Sequence, residues 1–484
     1  MRCIVESHTK GDGTQHSGRP RLVAYGAALA LALALSWVLV RMPLQVTDSV
    51  VNILAAQERS LAEILRSELQ PRATYLRPFF LAQYKIVFEL AHGHYFGTFK
   101  AIHVFQLVVL LLLCVRLMRI GSALDLSAGV LALVMVVGIH TFYQTVNEAY
   151  PMMTMMLACV LAVNLSFGAP APCRDASAVL LFFYTMFTAE LGVLVWLCLV
   201  AGYLLGFRGV GRAGLAACTA LLAFYVVLRF VWLSGGVPAL SERSSGFGFR
   251  GRSQAELVQL FAQRRGLFYA YNVASSVSTV LLAEPRAGSW RWVGALAEGR
   301  DSSPAMWLNV ATSTAATVLL ARFLWRRRKL LRPPLVHHDR LVLLFLVVLP
   351  ANAIVSFPYT KDVIMSPAGA LYAMALFVAL RGLLSELAVP GCSAARRCAW
   401  ACLLLLLSTG WTLRALAVPY ALRRHALVQQ REWIFIDEWA AAQRLELSPR
   451  QRQLLHRLRR EAIAMHIPQP YFSRAWPERW FDRP

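Results

Sequence analysis

Charge, and above all negative charge, is scarce in this chain. Asp and Glu together number 26 of 484 residues against 49 Lys and Arg, and charged residues make up only 15%. A soluble domain carries about a quarter charged residues, so the shortage argues against a water-soluble fold. Its counterpart is a 57% hydrophobic composition and a mean hydropathy of +0.51. Several runs of about 18 or more apolar residues read as transmembrane helices. The expected fold is all-α, a polytopic transmembrane bundle.

Other absences narrow the reading further. The first apolar run, "RLVAYGAALALALALSWVLV", is followed by "RMPLQV", which lacks a small-residue cleavage site. It is therefore expected to stay as a first helix rather than leave as a signal peptide. No internal repeat stands out, as many transporter folds would show. The Gly-rich "GVPALSERSSGFGFRGRS" lacks the strand context that a nucleotide-binding glycine motif needs. Lysine is rare, with five in the chain, while Ala, Leu and Arg dominate, the usage of a GC-rich bacterial genome.

Spans are expected near 22–41, 101–119, 123–141, 150–167, 177–189, 191–207, 213–234, 304–323, 340–357, 364–383 and 398–418, about 11 in all. The pair over 177–207 reads equally as one long bent helix. The net charge of +23 sits largely in short basic runs flanking these segments. That pattern sets membrane orientation and does not imply nucleic acid. With the N-terminus inside, the inner connections hold Arg2, Lys10, Arg19 and Arg21, then Arg116 and Arg119, Arg174, Arg208 and Arg212, "RFLWRRRKLLR" with Arg340, and Arg381, Arg396 and Arg397. The short outer connections hold only Lys361. All nine cysteines then fall in spans or inner loops, so no disulfide is expected.

This gives a cytoplasmic N-terminus over 1–21, a membrane domain over 22–418 with long outer loops at 42–100 and 235–303, and an outer-face tail over 419–484. In 49–69, Val50, Leu54, Leu61, Leu65 and Leu69 recur at helical spacing, which predicts an amphipathic surface helix. Phe79, Phe80, Tyr84, Val87 and Phe88 predict a second, with Pro78 in its first turn. Aromatic rings suit the boundary between lipid and water.

A few polar residues stand where chemistry is affordable. Asp48 lies just beyond the first span, as a base at a cavity mouth or as part of a helix cap with Thr47. Arg77 has the planar fork that matches phosphate, and also reads as a snorkelling side chain. Glu148 ends the short outer loop "HTFYQTVNEAYP", as a site carboxylate or a boundary residue. Glu190 interrupts the apolar "MFTAELGVLVW", and a carboxylate at membrane depth points to function. Its structural alternative is a partner for free N–H groups at a helix start. In "SFPYTKDVIMSPAG", Tyr359 and Lys361 stand at an outer helix end, and Lys361 can meet a phosphate. His337, His338 and Asp339 invite a metal reading, but neighbours on a helix do not share a face. No metal is assigned.

Together, the first span, the outer Asp48, the long loop ending "LRPFFLAQYKIVFELAHGHYFGTFKAIHV" and the paired segment "LFFYTMFTAELGVLVWLCLV" resemble the type C (GT-C) polytopic membrane glycosyltransferases. The resemblance covers roughly residues 24–207. It implies a polyprenyl-phosphate sugar as donor, no certain cofactor, and an inverting transfer on the outer face of a bacterial inner membrane. Membrane lipids, the lipid-linked sugar and a glycan, lipid or protein acceptor are the implied partners, with the C-terminus periplasmic. Asp48 matches the outer-loop acid, Arg77 the Arg of the Arg-Pro motif and Glu190 the Glu of the paired-helix turn. Many relatives carry two adjacent acids where this chain has Asp48 and Ser49, and Lys is common where Ala189 stands. Those departures weaken what the resemblance implies for divalent-metal dependence and for the donor-phosphate contacts. The expected catalytic set is Asp48, Glu148 and Glu190, with Arg77, Lys361 and Tyr359 binding phosphate or substrate. A lipid-linked glycan transporter or flippase, or a non-catalytic membrane scaffold, are the competing readings. The Trp- and Arg-rich tail is expected to cover the cavity, bind an anionic partner or glycan, or anchor at the membrane surface.

Overall fold

The computed structural model describes residues 18–71, 75–147, 150–235, 254–261, 264–283, 289–328, 335–357, 362–389, 393–465 and 467. These are helical throughout, with no strand among them. The order is α1 (Gly18–Leu39), α2 (Asp48–Glu58), α3 (Leu61–Ser67), α4 (Pro78–Ala91), α5 (Tyr95–Met118), α6 (Ala123–Gly138), α7 (His140–Asn147), α8 (Tyr150–Leu165), α9 (Pro172–Met186), α10 (Val193–Leu204) and α11 (Arg212–Val226). Then follow α12 (Gln254–Phe261), α13 (Arg265–Leu282), α14 (Ser289–Ala297), α15 (Pro304–Arg327), α16 (His337–Val355), α17 (Ser366–Ala388), α18 (Ala394–Ile434), α19 (Ile436–Ala442) and α20 (Pro449–Ala464).

Seven helices among the described residues are long and apolar enough to cross a membrane: Gly18–Leu39, Tyr95–Met118, Arg212–Trp232, Pro304–Arg327, His337–Val355, Val363–Ala388 and Ala394–Ile434. The other four expected positions also hold helices shorter than a full span: α6, α8 and α10 are apolar, and α9 opens on the polar Arg174 and Asp175. Helix α17 runs through the centre, walled in by α6, α8, α15 and α16. On α1, Ala24, Ala28 and Ala32 repeat every four residues and are fully buried, facing α5 and α6. Small side chains at that spacing let two backbones approach, which is how helices pair where lipid removes the hydrophobic drive. The opposite face of α1 turns Leu22, Leu33 and Trp37 outward, as lipid contact requires.

A second core lies outside the bundle. Helices α2, α3 and α4 pack together, and α20 lies across α2. Val50, Ile53, Tyr84, Trp433, Ile436, Leu454 and Leu458 fill the space between. The Trp433 indole donates to the Leu44 carbonyl at 2.8 Å. The tail thus folds onto the first long loop, and α18 is the arm that brings it there. At about 1.5 Å per residue, its 41 residues reach about 60 Å, twice the hydrocarbon thickness.

Three sequence expectations need correction here. The helix expected over 49–69 is two, because Ser60 and Glu63 form a reciprocal capping box that starts α3 anew. The break shifts the register, so Leu61 and Leu69 are exposed while Val50 and Leu54 are buried. The last helix does not stop at 418: α18 runs through Pro419 to Ile434, carried by Ala, Leu, Arg and Gln, all good helix formers. The stretch over 235–303 is not only loop, since α13 packs against α15 and α16. Its buried face mixes Phe268 with Asn272, Ser275, Ser276 and Thr279, which hides it from a hydropathy reading.

Candidate functional site

The segment 177–207 resolves into two helices, and the break builds the site. After α9 ends at Met186, a short tight turn over Glu190–Gly192 restarts the chain as α10. Gly192 makes the turn possible: a Cβ there would lie 2.4 Å from the Met186 nitrogen and the Thr185 carbonyl. No side chain fits, so only glycine lets the turn fold back on the end of α9.

Arg77 is brought to this turn by the aromatic stretch around it. Pro78 opens α4, and the Phe79 N–H donates to the Phe187 carbonyl at 3.0 Å. The Phe79 ring meets Phe183 edge-on at 5.3 Å and Phe187 at 5.9 Å, while the Tyr184 hydroxyl donates to Gln83 at 2.7 Å. The rings of this segment therefore do more than rest at an interface. They clamp α4 to α9 and deliver the arginine.

Glu190 is the hub. Its Oε2 accepts from both Arg77 Nε, at 2.7 Å, and Arg77 Nη2, so one oxygen takes two donors of the same guanidinium. Its Oε1 accepts from Arg229 Nη1 at 3.3 Å. Arg229 Nη1 also donates to the Tyr225 hydroxyl at 3.3 Å, which in turn donates to the Leu76 carbonyl at 3.4 Å. The Tyr75 ring lies 4.1 Å under the Arg77 guanidinium. Arg229 stands in a widened, π-helical stretch, Val227–Trp232, continuing α11. Such bulges recur at functional sites because they re-aim one side chain out of helical register. Arg229 is almost wholly buried, whereas the Arg77 and Glu190 side chains keep 23% and 22% of their surface, so the set opens to solvent on the Arg77 side. These three side chains carry one more positive than negative charge.

A further carboxylate lies within the field of Arg77. Glu68, just after α3, is half-buried, and loss of water pushes its pKa above the ordinary Glu value, with Arg59 and Arg77 pulling the other way.

Of the expected residues, the structure joins Arg77 with Glu190. It does not bring Asp48 into that cluster: Asp48 is exposed at the first position of α2, and among the described residues no hydrogen bond or ion pair links it to Arg77 or Glu190. The Thr47 side chain makes no cap hydrogen bond either, so the cap reading is corrected, because its backbone does not take the extended conformation that a cap needs. Thr47 instead lines a cleft of about 450 Å³ with Arg431, Glu432, Phe435 and Trp439 of the tail. Glu148, Tyr359 and Lys361 lie outside the described residues. His337 and His338 donate from Nε2 to the Leu117 and Met118 carbonyls at 3.0 and 3.2 Å, holding the end of α5. Arg229, Tyr225 and Glu68 were not singled out from the sequence. For Arg229 a signal existed, a lone charge inside the apolar "AFYVVLRFVWL".

Comparison with protein-family models, with curated proteins and with solved structures finds no match for this chain.

Proposed function

We propose that this chain is a membrane glycosyltransferase that moves a sugar from a polyprenyl-phosphate donor to an acceptor on the outer face of a bacterial inner membrane. The observation that supports it is the convergence of Arg77 and Arg229 on Glu190 at the break between α9 and α10. Guanidinium forks match phosphate oxygens, and a partly desolvated site strengthens that attraction. In this reading the helices of all eleven positions span, the N-terminus is cytoplasmic and the tail is periplasmic.

The chemistry asked of these residues is modest. Arg77 and Arg229 hold the donor phosphate, and Glu190 fixes both guanidiniums between turnovers. A carboxylate of the first outer loop takes the proton of the acceptor hydroxyl. The acceptor oxygen bonds to the anomeric carbon as the carbon–oxygen bond to phosphate breaks, and the electron pair leaves on the phosphate. One displacement inverts the anomeric centre. Asp48 is the base of this reading, and Glu68, in the field of Arg77, is the second carboxylate to test. Tyr359, Lys361 and Glu148, taken from the sequence of the outer loops, complete the proposed set.

The test compares cell-surface glycans of wild type with Arg77→Ala, Arg229→Ala, Asp48→Asn and Glu68→Gln at matched protein level. The reading expects one sugar modification to vanish in both arginine variants and in one carboxylate variant. Glycans unaltered in all four would favour a scaffold without catalysis.

A further inference from the structure

Four charged residues are buried among the described residues: Asp125, Asp339, Arg229 and Arg414. Three have a partner of opposite charge. Arg381 holds Asp125, Arg327 reaches Asp339 at 3.6 Å and Glu190 holds Arg229 at 3.3 Å. Arg414 has none. Its Nε donates to the Gly138 carbonyl at 3.1 Å, and its Nη1 to Thr312 Oγ1 at 2.9 Å and Ser313 Oγ at 2.7 Å. The Trp411 ring lies 4.0 Å away. All of these partners are neutral. A buried charge without a counter-charge is costly, and arginine cannot escape by losing its proton.

Two donors remain beside one another. Arg414 Nη2 has no acceptor among the described residues. The Ser313 hydroxyl, 2% exposed, accepts from Arg414 and has no acceptor of its own there. By contrast, the Thr312 and Thr317 hydroxyls are spent on the carbonyls of Leu308 and Leu281, both at 2.6 Å. A cation with a fork half used and a neighbouring hydroxyl with an unspent hydrogen form a donor set for an oxyanion.

The position suits a ligand entering from one end of the bundle. Arg414 stands about 30 Å along α18 from Ala394, close to a full hydrocarbon thickness. Gly138 ends α6, and Thr312 and Ser313 lie about 12 Å into α15. Gly138 makes the close approach possible, since a Cβ there would press on Trp411 and Arg414. Following the helices through the bundle places Gly138 at the end where α5 begins, the end that carries the first long loop.

We infer that Arg414 and Ser313 form a second anion site, inside the bundle and built on helices other than those holding Glu190, which takes a phosphate-type oxyanion. It stands independently of sugar transfer. Free phosphate and a lipid headgroup present the same oxygens, so the experiment separates them.

The thermal midpoint of the purified full chain is followed in neutral detergent at constant ionic strength. The probes are sodium phosphate, short-chain phosphatidic acid and, as control, sodium chloride. Wild type is expected to gain stability with phosphate or phosphatidic acid, saturably, and not with chloride. Arg414→Gln and Ser313→Ala are each expected to weaken that response by about tenfold or more, compared in an Arg77→Ala background so that the Glu190 cluster does not contribute. A response to phosphatidic acid alone assigns the site to a lipid headgroup, and a response to both assigns it to phosphate in general. No response in wild type, or an equal response with and without Ser313→Ala in that background, overturns the inference. Ser313→Ala removes one hydroxyl and keeps the fold readable if Arg414→Gln fails to assemble.

Discussion

Glu190 receives both nitrogens of one face of the Arg77 guanidinium, across 113 positions of sequence. That pair joins the first long loop to the turn between α9 and α10, and Arg229 completes it from a third element. The pair is a fifth exposed, so its worth lies between a surface ion pair and a buried one. Removing Glu190 alone, as Glu190→Ala, sets two guanidiniums against each other and is expected to cost on the order of 2 kcal/mol. A double-mutant cycle with Arg77→Ala checks this, and an additive cycle would mean that the two groups do not act together.

Gly192→Ala should be worse than its size suggests. The added methyl meets backbone, which cannot give way as a flexible side chain can. A cost of about 3 kcal/mol, or loss of folded protein, is expected, measured by fluorescence-detected chromatography and thermal unfolding. Wild-type stability in this variant would mean that the turn adopts another path.

Glu68 gives a pH signature. Its folded pKa lies above the ordinary Glu value of 4.5, raised first by desolvation. The folded state therefore favours the protonated form. Stability from this group is full below the unfolded pKa and is lost as pH rises through the folded one. Glu68→Gln should be more stable than wild type at pH 7 and should lose the part of the pH slope just above 4.5. A variant with an unchanged slope would place the titration on another group.

Trp433 holds the tail to the first loop. It is fully buried and packs at 6.2 Å from Phe96. Trp433→Ala is expected to cost about 3–5 kcal/mol in that layer. Limited proteolysis should then cut within 443–448, between α19 and α20, while the membrane bundle stays intact. Uncut protein would show that α20 docks without the indole.

Much of the bundle was readable because long apolar runs and their basic flanks obey strong constraints. The first loop was half readable. Pro78 and the rings after it announce α4, but the capping pair Ser60 and Glu63 outweighs the leucine spacing and divides 49–69 in two. The site is marked in the sequence by lone charges inside apolar stretches. Glu190 was singled out as a charge inside an apolar stretch, and the same test on "VVLRFVW" and "TGWTLRALAV" yields Arg229 and Arg414. Glu68 carried no such mark, because its half-burial comes from tertiary packing alone. Asp48 was weighted by its place in the chain, yet it stands exposed and apart from Arg77 and Glu190.

The claim that matters most is that Arg77 and Arg229 recognise a lipid-linked phosphate. The direct measurement is the affinity of purified protein for polyprenyl phosphate against the uncharged polyprenol, by native mass spectrometry or thermophoresis. Preference for the phosphate by about tenfold or more, lost in Arg77→Ala and in Arg229→Ala, is the expected result. Equal affinity for the two lipids, or a preference that survives both substitutions, would contradict it.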